Sequence, residues 1–227
     1  MSKGQLVARD DEPDARPADA GHPGDADRGE QRGVLGPQTA PRREQGRPGA
    51  DVLPALAHVL LGRNGVGKTT TLKTIMGLVP PTGGKVIFNG KETSSMQPHK
   101  VPGTGIGYVP QGRGIFPILS VEENLFIGVS KRPPQSVVDY VFDRFPKLQE
   151  RLKQPGGTLS GGEQQMLAIA RCLVMQPKLI ILDEPTEGIM PILVKKIRSE
   201  IEAVRKSGVS ILLVEQNIKT ALRLCTR

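Results

Sequence analysis

Aromatic residues are scarce in this sequence: 227 residues include no Trp, two Tyr and five Phe. Surfaces that stack nucleic-acid bases need several such rings, so single-stranded nucleic-acid binding is disfavoured. Cysteine is scarcer still. Cys172 and Cys225 form no closely spaced pair and have no neighbouring His, which excludes a disulfide framework or a zinc site and suits a reducing compartment. His22, His58 and His99 make no ligand-like cluster. No apolar run is long enough to cross a bilayer, and residues 1–10 lack the basic-then-apolar layout of a secretory signal. A membrane role would need a separate partner chain.

Apolar residues are also missing from one end. Between Ala8 and Gly33 nothing larger and more apolar than Ala occurs, while Asp, Arg, Pro and Gly dominate. Such a stretch cannot bury enough surface to offset its ordering entropy, so residues 1–55 are expected to be disordered or aberrant, without strands. Residues 1–57 carry ten acidic against eight basic side chains, so the formal net charge of +8 belongs to the remainder. A basic surface suits nucleotide phosphates, anionic headgroups or nucleic acid and does not choose among them.

From residue 56 onward the pattern changes. Leu56–Leu61 reads as a short buried strand entering a glycine-rich turn. Residues 68–78 read as a helix with Leu72, Ile75, Met76 and Val79 on one buried face, broken by Pro80-Pro81. Strands are expected at 85–88, closed by Asn89-Gly90, and at 106–109. Residues 119–153 read as mostly helical, 161–175 as a helix with Met166 and Met175 in the core, and 179–182 as a strand. A helix over 191–206, a strand at 209–214 and a last helix complete the chain. Strands alternating with helices imply an α/β fold with a mostly parallel sheet, one domain over 56–227, and a helical subdomain at about 119–175.

Gly62-Arg63-Asn64-Gly65-Val66-Gly67-Lys68-Thr69, with Thr70 following, matches the phosphate-binding loop GxxxxGK[ST] between an expected strand and helix. Its glycines let backbone N–H groups wrap phosphate oxygens, and the helix N-terminus adds partial positive charge. Lys68 would reach the β- and γ-phosphates, and Thr69 would bind Mg²⁺. Leu179–Leu182 ends in Asp183-Glu184 at the sheet edge where α/β proteins bind ligand. Asp183 would hold Mg²⁺, and Glu184 is placed as general base for an attacking water. Leu159-Ser160-Gly161-Gly162-Glu163 has two readings. Ser160 with Glu163 makes a capping box, sufficient to start a helix. The glycine pair, costly in a first turn, is explained by close approach of a phosphate.

In these motifs and in their order the chain resembles the ABC ATPases, a branch of the P-loop NTPases, whose signature LSGGQ stands here as LSGGE. The resemblance runs from about Leu60 to the C-terminus. It implies ATP and Mg²⁺ as cofactors, and Gln111 as a link between Mg²⁺, attacking water and a permease-facing surface. It also implies a head-to-tail dimer in which Leu159–Glu163 acts in trans on the other subunit's ATP. Tyr108-Val-Pro-Gln-Gly-Arg-Gly-Ile-Phe-Pro117, Asp183-Glu-Pro-Thr-Glu-Gly188 and Val214-Glu-Gln-Asn217 look like branched-chain amino-acid importers. Urea-importer ATPases share much of this wording, and a soluble non-transport ABC protein and a non-functional remnant stand as further alternatives.

Gln216 stands where most ABC ATPases have a His contacting the γ-phosphate. The resemblance therefore implies a heterodimer with a second ABC ATPase chain. It also implies membrane permeases, a periplasmic binding protein acting indirectly, no nucleic-acid partner, and a peripheral place on the cytoplasmic face of the inner membrane. Two departures stand out. No Phe, Tyr or Trp precedes Phe88 to stack on adenine, and the first strands of the family are not recognisable. A shifted reading frame over roughly residues 7–58 would account for both.

Overall fold

A computed structural model describes residues 6–9, 57–62, 65–216 and 221. In chain order the strands and helices are β1 (Leu6–Arg9), β2 (Ala57–Leu61), α1 (Lys68–Ile75), β3 (Lys85–Phe88), β4 (Lys91–Glu92), β5 (Ile106–Val109) and α2 (Val121–Phe126). They continue with α3 (Gln135–Arg144), α4 (Pro146–Gln149), α5 (Gly161–Val174), β6 (Leu179–Asp183), α6 (Pro191–Lys206) and β7 (Ser210–Glu215). The expected α/β class and helical region are present. The last expected helix and the shifted-frame stretch fall, apart from a few residues, outside the described ones.

Four strands form a parallel sheet in the order β2-β7-β6-β5. β6 lies inside it and every residue of β6 is buried. Side chains alternate across a strand, so Ile180 and Leu182 pack with α5 and α6 on one face. Leu179 and Ile181 pack on the other with Leu72 and Ile75 of α1 and with Phe88. A strand sandwiched this way reads as a continuous apolar run, as this one does.

A second sheet is antiparallel, in the order β1-β3-β4. Asn89 and Gly90 both adopt left-handed φ values, 50° and 76°, the type I′ geometry that joins β3 to β4. β1 corrects the sequence reading: Leu6–Arg9, within the stretch expected to lack strands, pairs along β3 from Leu6↔Phe88 to Arg9↔Lys85. Leu6 and Val7 are two large apolar residues that precede the polar run, and four residues suffice for an edge strand.

α1 ends three residues earlier than expected. Gly77, at φ 69°, donates to Thr74 O and Leu78 N donates to Lys73 O, a Schellman closure that terminates the helix before Pro80 is reached. α2 and α5 both start on capping boxes, Ser120 with Glu123 and Ser160 with Glu163.

Candidate nucleotide site

β2 delivers the chain to Gly62 and α1 takes it away from Gly67, so the glycine-rich loop sits at the C-terminal edge of the parallel sheet. Arg63 and Asn64 lie outside the described residues. Gly65 and Gly67 take φ values of 84° and 91°, which residues with a Cβ rarely adopt. A Cβ on Gly62 would come within 2.7 Å of Val66 Cγ2. Gly67 caps α1 with no side-chain hydrogen bond, which leaves the first-turn N–H groups to a ligand.

A cavity of about 370 Å³ opens beside this loop, lined by Gly65, Gly67, Lys68, Thr69, Thr70, Gln111 and Glu184. Lys68 is buried; its Nζ donates to Gly62 O at 2.6 Å and lies 3.6 Å from Glu184 Oε1. Gln216 Nε2 donates to the other oxygen, Glu184 Oε2. The backbone of Glu184 is left-handed at φ 49°, and its N–H is bonded to Val214 O at 2.9 Å. Non-glycine residues hold such a conformation only where their surroundings impose it, and such places gather at functional sites.

Asp183, one residue earlier, is 1% exposed, and neither of its carboxylate oxygens has a hydrogen bond of ordinary geometry. Burial pushes its carboxyl upward, and the Thr69 hydroxyl, the Lys68 ammonium and Tyr108 act in the opposite sense. Burial and the Asp183 charge in turn push the Tyr108 phenol up to about 12. A buried carboxylate beside a threonine hydroxyl, with the Gln111 amide lining the same cavity as that threonine, is an oxygen-rich donor set of the kind Mg²⁺ takes. Among the described residues no three His, Cys, Asp or Glu gather closely enough to form an all-protein metal cage.

The segment after Glu184 is fastened on two sides. Thr186 Oγ1 donates to Glu215 Oε1 at 2.8 Å, and Gln111 Nε2 donates to Glu187 Oε2 at 2.8 Å. Sequence reasoning passed over Thr186, Glu187 and Glu215, because their partners are 29 and 76 residues away.

Lys68, Thr69, Gln111 and Glu184 line this cavity, Gln216 is bonded to Glu184, and Asp183 interacts with Thr69 and Lys68, but Leu159–Glu163 does not line the cavity. Ser160 N and Oγ donate to Glu163 Oε2 at 3.0 and 2.7 Å, which builds the capping box. Burial raises the Glu163 carboxyl, but these bonds and the Arg151 and Lys147 charges outweigh it and hold the group low. Side chains of the same chain also approach the glycine pair closely. A Cβ on Gly161 would lie 2.9 Å from Arg113 Nη2, and one on Gly162 2.5 Å from Leu193 Cδ1. Arg113 Nη1 also donates to Gln164 Oε1 at 3.0 Å, tying the turn after Gln111 to the start of α5.

Comparison with known proteins shows the family to which the chain is similar. The ABC transporter family profile matches residues 51–187. The chain is 44% identical over 171 residues to the high-affinity branched-chain amino acid transport ATP-binding protein BraG of Pseudomonas aeruginosa, covering 74% of this chain and 73% of BraG. It is 41% identical over 179 residues to the probable branched-chain amino acid transport ATP-binding protein LivF of Archaeoglobus fulgidus, covering 77% and 76%. It is 39% identical over 174 residues to the lipopolysaccharide export ATP-binding protein LptB of Escherichia coli, covering 74% and 72%. Among solved structures, an ATP-binding cassette of an ABC transporter in its ADP conformation superposes with a TM-score of 0.63 at 26% identity, covering 76% of this chain and 74% of that one. The chain belongs to the ABC transporter family, as one of its ATP-hydrolysing, ATP-binding subunits.

Proposed function

We propose that the chain energises import of branched-chain amino acids, working with membrane permeases and a second ABC ATPase subunit on the cytoplasmic side of the membrane. Among the described residues no helix is long and apolar enough to cross a membrane, so a spanning path would come from partner chains. The observation that carries the site reading is the convergence of Lys68, Gln111 and Glu184 on one cavity, with the buried Asp183 carboxylate next to Glu184 in the chain. The similarity to BraG and LivF favours the amino-acid substrate.

In this reading the N–H groups of residues 62–70 and the Lys68 ammonium hold the phosphates of ATP. Thr69, Asp183 and Gln111 would hold Mg²⁺, which when bound neutralises charge on the β- and γ-phosphates. Lys68 would exchange its contacts with Gly62 O and Glu184 for phosphate oxygens. Glu184 would accept a proton from water as the water oxygen bonds to the γ-phosphorus and the bond to the β-phosphate oxygen breaks. Gln216, already on the Glu184 carboxylate, orients that base but cannot change charge near neutral pH as a His would. Leu159–Glu163, which does not line this chain's own cavity, would enclose the ATP held by the partner ATPase.

Lys68→Ala in the assembled transporter tests both levels. It is expected to abolish Mg-ATP binding and leucine uptake together. Unchanged ATP binding would remove Lys68 from the phosphate site. A transporter that hydrolyses ATP through Lys68 but takes up no leucine, isoleucine or valine would reassign the substrate.

A further inference from the structure

The contact between Gln111 and Glu187 fixes more than a distance. A carboxylate only accepts hydrogen bonds, so the end of the Gln111 amide that meets Glu187 Oε2 at 2.8 Å is the NH₂ end. The amide oxygen is thereby left over, and Gln111 lines the cavity that also holds Thr69 and Glu184. Oxygen is the atom a hard divalent cation takes from an amide.

Glu187 is itself held in register with the hydrolytic carboxylate. Its N–H donates to Glu184 O at 3.1 Å, closing a tight turn that begins at Glu184. The residue between Pro185 and Glu187 is pinned to the end of β7 by the Thr186–Glu215 hydrogen bond. Gly188 follows at φ 64° and turns the chain toward α6. Glu187 is solvent-exposed, so no packing role accounts for it, yet its backbone N–H is bonded to Glu184 O and the residue before it is pinned to the end of β7.

We propose that Glu187 is a positioning residue for Gln111: by accepting from the amide nitrogen it presents the amide oxygen to the divalent cation that Asp183 and Thr69 would bind. This rests on the ATP-site reading given above. Carboxylates that orient a metal ligand from behind are a recurrent arrangement, and losing one typically weakens metal binding about 10- to 100-fold.

The test measures binding of a non-hydrolysable ATP analogue to the full chain by calorimetry, once with Mg²⁺ and once with a chelator. Glu187→Ala is expected to shrink the Mg²⁺-dependent gain in affinity about tenfold while leaving the chelator value unchanged. Glu187→Gln should keep most of the gain, because its amide oxygen accepts the same bond. Gln111→Ala should also shrink the gain, and adding Glu187→Ala to it should change nothing further. Additive losses, a gain unaffected or increased by Glu187→Ala, or a Glu187→Gln variant as weak as Glu187→Ala would each overturn the proposal. Lys68→Ala serves as the control for the site itself. Binding that responds to Lys68 but not to Glu187 defeats this inference alone, whereas a wild-type chain that binds no nucleotide defeats the site reading and the inference together.

Discussion

Glu184 and Glu215 stand at the ends of β6 and β7 as two buried carboxylates, 8% and 4% exposed. Burial pushes the Glu215 carboxyl above its usual range; the Thr186 hydroxyl draws it down and the Glu184 charge adds to the rise. The folded chain therefore holds this proton more tightly than the unfolded chain does. The resulting contribution to stability is complete below the ordinary carboxylate value and is lost as pH climbs through the raised one. Glu215→Gln keeps an acceptor for Thr186 and removes the charge. Its melting temperature should exceed wild type at neutral pH, and the difference should close as pH falls to about 4. A thermal series across that range checks this, and a variant less stable than wild type at neutral pH contradicts it.

What could be read at this scale was what the chain keeps local. The loop at 62–69, the Asp183-Glu184 pair and the capping box each complete themselves within eight residues, so spacing alone declared them. Gln111 with Glu187, and Arg113 with Gln164, join residues 76 and 51 positions apart, and no one-dimensional pattern announces such pairs. The glycines at 161 and 162 show the converse difficulty. Their smallness was evident, but the side chains that lie close to them, Arg113 and Leu193, come from other parts of the chain.

Among the elements, β6 carries the greatest structural burden. Ile181 is 0% exposed and packs against α1, Val214 and Ile106 on one face of the sheet. Ile181→Ala should cost about 2–5 kcal/mol and lower the chemical-denaturation midpoint accordingly. Ile118, 92% exposed, offers the contrast: Ile118→Ala should stay within about 0.5 kcal/mol of wild type. Equal costs for the two would mean that the layering described above is wrong. The apolar run of β6 was legible because a doubly covered strand leaves no alternative to apolar residues. β1 was not, because four residues on an edge, pairing with a strand 82 positions on at Leu6↔Phe88, carry too little pattern of their own. The end of α1 was misread for a similar reason: Pro80 signals a stop more loudly than Gly77, but the Schellman hydrogen bonds form first along the chain.

For the molecule as a whole, the proposed cycle depends on a partner ATPase closing over the cavity. In the assembled transporter, Glu184→Gln should lower turnover about 10²- to 10⁴-fold and hold the two ATPase subunits together when ATP is present. Size-exclusion chromatography with and without ATP reads the second effect. Full turnover in that variant would remove Glu184 from the role of base.

The position of β2 in the sheet bears on biosynthesis. Among the described strands it pairs with β7 alone, Ala57↔Ile211 through Leu61↔Glu215. The loop proposed to grip phosphate is thus mounted on a strand whose mate is made some 150 residues later. A nascent chain halted before residue 210 would display every letter of GxxxxGKT and still lack the brace that aims it. The proposed grip on nucleotide would in that sense be a late acquisition, arriving only when the growing polypeptide has laid β7 against β2.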